Sequence, residues 1–182
     1  STSNGTTGAP DTSAWFDNVQ VEGCITPTVP PTIVAAVSRK THGSAGDFDL
    51  EVTGSSAVEN RQNGPTWLRV TFDKAIQGVG GLDVTDIALS SGAVSSVAID
   101  GVILDIQLTA VSDQSILAVY FPGIADAGNA QAVVTDRVCV GVLAGDAGGD
   151  GATNIFDLLA VRNAINLPVS GTTFRSDVTA DG

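Results

Sequence analysis

The sequence predicts a mainly β fold that ends in a single loop–helix module. Three observations predict it. Between residues 33 and 143, short segments rich in Val, Ile and Thr alternate with Gly, Asp, Asn and Ser, the pattern of strands separated by turns. Of the 20 acidic residues, 17 are Asp and three are Glu; Asp suits turns and cation loops, whereas Glu suits helix surfaces. Clear helical spacing occurs in one place, residues 155–166, directly after an Asp- and Gly-rich loop.

Along the chain, eight strands are expected at 33–38, 48–53, 67–72, 86–90, 94–99, 102–108, 116–121 and 137–143. Leu68, Val70 and Phe72 alternate with Arg69, Thr71 and Asp73, which gives one buried and one wet face. Val102, Leu104, Ile106 and Leu108 alternate with Ile103, Asp105 and Gln107 in the same way. Asp100-Gly101 reads as a hairpin turn between two strands. Eight strands at this spacing, over about 110 residues, fit an immunoglobulin-like β-sandwich. In the helical segment Ile155, Leu158, Leu159 and Ile165 share one side, Arg162 and Asn163 lie toward the other, and Pro168 closes it.

Ahead of the sandwich, residues 1–13 are small and polar and read as a linker, with a glycosylation sequon at Asn4-Gly5-Thr6. Residues 14–21 carry Ala14, Phe16, Val19 and Val21, a short strand with imperfect alternation, and residues 26–32 form a stiff Pro-rich connector. The expected organisation is therefore 1–31 linker and orphan strand, 32–143 sandwich, and 144–182 C-terminal module.

A formal net charge of −12, with only eight scattered basic residues, argues against nucleic acid, because phosphate binding needs clusters of Lys and Arg. No run of about 18 apolar residues is present, so no membrane span is expected. The chain has no signal peptide and no starting Met, and reads as either processed or a fragment. Cys24 and Cys139 match neither a zinc-site nor a redox spacing. They read as one structural disulfide of an exported protein or as two buried thiols.

The loop from Asp146 to Asp157 fits a twelve-residue calcium template. Asp146, Asp150 and Asp157 occupy positions 1, 5 and 12. Gly151 stands at position 6, where the loop must turn sharply. The carbonyl of Ala152 covers position 7, and Asn154 at position 9 can ligate directly or through a water. A hard divalent cation wants such oxygens and holds together carboxylates that would otherwise repel. Position 3 is Gly148, so one side-chain ligand is missing. A second copy starts at Asp177, with Asp181 at position 5 and Gly182 at position 6.

Residues 145–182 resemble a type I dockerin, whose two loop–helix repeats bind calcium and dock onto a cohesin domain. The resemblance covers the first repeat, the connection FRSDVTADG, and half of the second loop. It implies calcium as cofactor, with Asp177 and Asp181 as ligands of a second, incomplete repeat. It implies a cohesin-like domain as partner, with loop positions 10 and 11 and the helix at the contact: here Ile155, Phe156 and Arg162. Those two positions are commonly polar in the family; an apolar pair either forms a different recognition patch or packs against the sandwich, the second being the blander expectation. The stretches SRKTHGSAGDFDLEV, VENRQNGPTWLRVTF and VGVLAGD resemble the sandwich that precedes dockerin repeats in exported bacterial surface proteins, which implies an extracellular or cell-surface location and no assigned catalytic activity. Residues 14–21 look like the last strand of a β-sandwich carbohydrate-binding domain.

No catalytic residues are expected. His42 lies near Ser44, Asp47 and Asp49, but G-x-S-x-G is not met and no oxyanion hole is recognisable, so it reads as a turn histidine. Asp83 and Asp86 read as solvated turn residues, with a weaker cation site as the alternative. Trp15 and Trp67 could stack on sugar rings, but a lone Trp in a sandwich is more often core. The Gly78–Gly81 turn lacks the strand–helix context of phosphate binding. Three functions remain open: a non-catalytic adhesion or scaffold segment with a docking end, a subunit that polymerises with neighbouring copies by strand donation, and an accessory segment of a secreted polysaccharide-degrading enzyme.

Overall fold

The computed structural model describes residues 29–54 and 57–182. Its strands are β1 (Ile33–Thr41), β2 (Asp47–Glu51), β3 (Val58–Glu59), β4 (Trp67–Phe72), β5 (Ile76–Gly78), β6 (Ala88–Leu89), β7 (Ala93–Asp100), β8 (Ile103–Thr109), β9 (Ser115–Tyr120), β10 (Ile124–Asp126), β11 (Asn129–Val133) and β12 (Arg137–Val142). One helix, α1 (Ile155–Ala164), follows the last strand. The expected strand 14–21, the connector as far as residue 28, the sequon, Trp15 and Cys24 lie outside the described residues.

The protein is mainly β, and its strands form three sheets, in the orders β2-β1-β4-β8-β7, β3-β12-β9-β6 and β11-β10-β5. All the described pairings are antiparallel except β3 with β12, which sets Gly141 beside Val58. Period-2 alternation decides which side chains are inside. Leu68, Val70 and Phe72 from β4 and Leu104, Ile106 and Leu108 from β8 meet Leu117 and Val119 from β9 and Val138, Val140 and Val142 from β12 in one core. Each such side chain contributes about 1.5–3 kcal/mol by leaving water. Phe72 and Phe121 meet edge to face in this core, with centroids 5.8 Å apart. This is consistent with the expected β-sandwich. The β7–β8 hairpin sets Asp100 opposite Ile103, so Gly101 and Val102 form its tip, and Gly101 adopts φ +61° there.

Two expectations change. Residues 86–90 give only a two-residue strand, because 84–86 form a 3-10 turn instead: Asp83 accepts from the Thr85 N–H at 2.9 Å, and Asp86 accepts from the Asp83 N–H at 2.8 Å. This pair of carboxylates caps a turn. Trp67 is not in the core. It stands on the outer face of β4 between the guanidinium groups of Arg39 and Arg69, 5.2 and 5.7 Å from its ring, and donates to Asp105 at 3.0 Å. The register puts Arg39 beside Trp67 and Arg69 beside Asp105, and that face is a lattice of ion pairs.

A buried polar cluster lies at one end of the core. Glu59, Asn60, Arg61, Ser38 and His42 are all fully buried. Arg61 clasps Glu59 through Nε and Nη2, both at 2.8 Å, and donates to the Ser38 and Phe48 carbonyls. Ser38 donates to Glu59. Burial pushes the Glu59 carboxyl up, and its bonds from Arg61 and Ser38 more than offset this, leaving it below the usual carboxylate range. Unpaired, either charge would be costly there; paired and hydrogen-bonded, both are tolerated.

Candidate metal centre

The C-terminal stretch leaves β12 as a loop that folds around its own carboxylates. Asp146 is fully buried, and every hydrogen bond it accepts is from backbone: Gly149 N–H at 2.6 Å and Asp150 N–H at 3.1 Å on Oδ1, and Gly151 N–H at 2.8 Å on Oδ2. Gly151 at φ +85° makes the turn that aims its N–H inward. Asp157, 3% exposed, accepts from the Gly148 N–H and the Asn154 N–H, both at 2.8 Å. Those two donors hold its carboxyl below the ordinary aspartate range.

Asn154 and Asp157 also start α1 as a reciprocal capping box, with the Asn154 Oδ1 accepting from Phe156 N–H at 2.8 Å. The Asn154 amide donates to the Ala152 carbonyl at 3.2 Å. Loop and helix therefore share residues, which is why the cation-type spacing runs straight into helix.

Asp146, Asp150 and Asp157 converge, with one carboxylate oxygen from each within 4.8 Å of the others. No salt bridge to Lys or Arg neutralises them among the described residues. Oxygens that share one calcium ion at about 2.3–2.6 Å lie at most about 4.6–5.2 Å apart, so this triad could hold such an ion. Asp150 is exposed, Gly148 is exposed, and a Cβ on Gly148 would point into the cluster, 3.1 Å from Asp157 Oδ1 and 3.9 Å from Asp146 Oδ1. Position 3 is thus the side of the cluster that lacks a ligand.

The second half-loop is used differently. Asp177 accepts from the Gly182 N–H at 3.1 Å and pairs with His42 Nδ1 at 2.7 Å. Burial pushes its carboxyl up, and the His42 hydrogen bond with the Gly182 N–H brings it below the ordinary range. Asp181 is exposed and joins no described cluster of three ligating groups. Its carbonyl packs on Gly43 so closely that a Cβ there would fall 2.0 Å away, and Gly43 adopts φ +47°. His42 sits at a turn as expected, leading into the 3-10 turn Gly43–Ala45, and is in addition the buried link between the sandwich and the C-terminal segment. Its remoteness in sequence from Asp177, 135 residues, hid that pairing.

Ile155 and Phe156 do not pack against the sandwich. They are 60% and 73% exposed, and Leu158 and Ile165 are each 62% exposed. Arg162 is exposed on the same helix. Cys139 is half-buried on the outward side of β12, and its expected partner Cys24 is not among the described residues. No helix among those residues is long and apolar enough to cross a membrane.

No family model, curated protein or solved structure matches the chain.

Proposed function

We propose that this chain is a non-catalytic structural or adhesion segment that works outside the cell and ends in a calcium-stabilised, dockerin-like docking module. One observation carries the reading: two buried carboxylates and one exposed one converge, with no ion pair to Lys or Arg among the described residues, at the start of a helix whose Ile155, Phe156 and Leu158 are exposed. Calcium supplies the missing positive charge, since a hard cation takes six to eight oxygens at these spacings, and the Asp146, Asp150 and Asp157 carboxylates with the Ala152 carbonyl are the protein's donors. Asn154 contributes through a water, because its own oxygen already caps the helix. The rigidified helix then presents Ile155, Phe156 and Leu158, with Arg162 at the edge, to a protein partner of cohesin type.

The test is a thermal melt with excess calcium and with EDTA, followed by capture of cohesin domains on immobilised protein. The reading expects a lower melting temperature in EDTA and calcium-dependent capture that Phe156→Ser weakens. Identical melts under both conditions would overturn the metal role. Calcium-dependent growth in light scattering, without cohesin capture, would replace the cohesin-type partner by neighbouring copies of the chain.

A further inference from the structure

We propose that the C-terminal strap, residues 174–182, positions the metal loop, and that Asn60 is the positioning residue joining the two. Cation binding at Asp146, Asp150 and Asp157 and seating of the strap are then one coupled equilibrium. The inference rests on the metal reading above and adds to it a route from the ion to the body of the fold.

A ring of contacts surrounds Asp146. Asn60 is fully buried between Glu59 and Arg61. Its carbonyl accepts from the Gly145 N–H at 2.9 Å, and its side-chain amide donates to the Arg175 carbonyl at 2.6 Å. Arg175 closes the ring: its Nε donates to the Ala147 carbonyl at 3.3 Å, and its guanidinium lies on Gly149, where a Cβ would fall 2.5 Å from Nη2. Gly145 and Ala147 flank Asp146, so the two clamps hold the first ligand of the loop from both sides. A ligand fixed before the ion arrives costs less ordering when it binds.

The strap has its own seat on the sandwich. Phe174 stacks on Phe48 at 5.6 Å and lies under the Arg61 guanidinium. The Val178 carbonyl accepts from the Gln62 N–H at 2.7 Å, and Asp177 holds His42. The four residues 59–62 thus touch the loop entry on one side and the strap on the other. The Leu143 N–H also bonds the Glu59 carbonyl, at 3.0 Å. Within this joint, Asn60 Oδ1 and Arg175 Nη2 are buried with no hydrogen-bond partner among the described residues. Because coupling between sites is reciprocal, whatever factor the strap contributes to cation affinity, the cation returns to the strap.

Two measurements on the full chain test this. The first is hydrogen exchange of wild-type protein with and without calcium; slower exchange across 174–182 on adding calcium is expected. The second is calcium affinity by calorimetry for wild type, Asn60→Ala and a core control, Val70→Ala, which touches neither loop nor strap. Asn60→Ala is expected to weaken calcium about tenfold and to abolish the calcium-dependent slowing, while Val70→Ala leaves the affinity unchanged. Wild-type strap exchange indifferent to calcium that does bind would overturn the inference and leave the metal reading standing, and this arm needs no variant to fold. Equal calcium affinity for Asn60→Ala and wild type, or equal weakening by Val70→Ala, would overturn it too. Absence of calcium binding to wild type would remove both.

Discussion

Asp146–Gly151 and Asp177–Gly182 are the same half-motif in two settings. Each begins with an aspartate whose carboxylate accepts the N–H of a glycine five residues on, at 2.8 and 3.1 Å, and the two glycines adopt φ +85° and +91°. Local geometry is repeated, and chemistry is not. Asp146 faces Asp150 and Asp157, and its hydrogen bonds come from backbone N–H groups; Asp177 faces His42, which is anchored beneath the strap by the buried Glu59–Arg61 pair. An Asp-to-Gly spacing specifies a turn. The groups that the rest of the fold brings to that turn decide whether its carboxylate faces other carboxylates or fastens a histidine.

The largest effect is expected from breaking the seat beneath the second half-loop. Arg61→Ala leaves the Glu59 carboxylate buried and unpaired, and should cost about 3–5 kcal/mol in chemical denaturation without calcium. The same seat responds to pH. Glu59 is held below its unfolded value, so its contribution is fully present above the ordinary Glu pKa of about 4.3 and is lost as pH falls through the depressed folded value. Urea midpoints measured from pH 6 downward should therefore stay level until about pH 4 and then fall, and the Glu59→Gln variant should show a shallower fall.

A smaller effect should sharpen the first half-loop. Gly148→Asn places an oxygen at the unfilled position, on a Cβ already directed at the carboxylates. It should tighten calcium about tenfold, or about 1.4 kcal/mol, by calorimetry. The smallest effect concerns the helix that follows. Phe156→Ser should change stability by no more than about 0.5 kcal/mol, because the ring is 73% exposed. A larger loss would mean that the helix packs on the sandwich after all.

Much of the fold was legible because period-2 alternation is a strong signal. Leu68, Val70 and Phe72 are inside, as their spacing requires, and the expected hairpin is present with its two-residue tip one residue on, at Gly101-Val102. What escaped has a physical cause in each case. The strands at 58–59, 76–78 and 124–126 are too short for alternation to register, and the strand at 129–133, Asn-Ala-Gln-Ala-Val, has Val133 as its only large apolar residue. Trp67 was misplaced because its neighbours across the sheet, Arg39 and Asp105, lie 28 and 38 residues away and make its outward position favourable through stacking and a hydrogen bond. At the site, the convergence of Asp146, Asp150 and Asp157 was readable, since its members are local. The roles of His42, Asn60 and Arg175 were not, because each acts through a partner that only the folded chain brings near.

The calcium reading makes the two half-loops differ in what they hold. Its most direct test is the number of calcium ions bound per chain, measured by calorimetry on wild type, Asp146→Asn and Asp177→Asn. One ion for wild type, none for Asp146→Asn and one for Asp177→Asn is the expected result. Two ions for wild type, or loss of binding confined to Asp177→Asn, would contradict it.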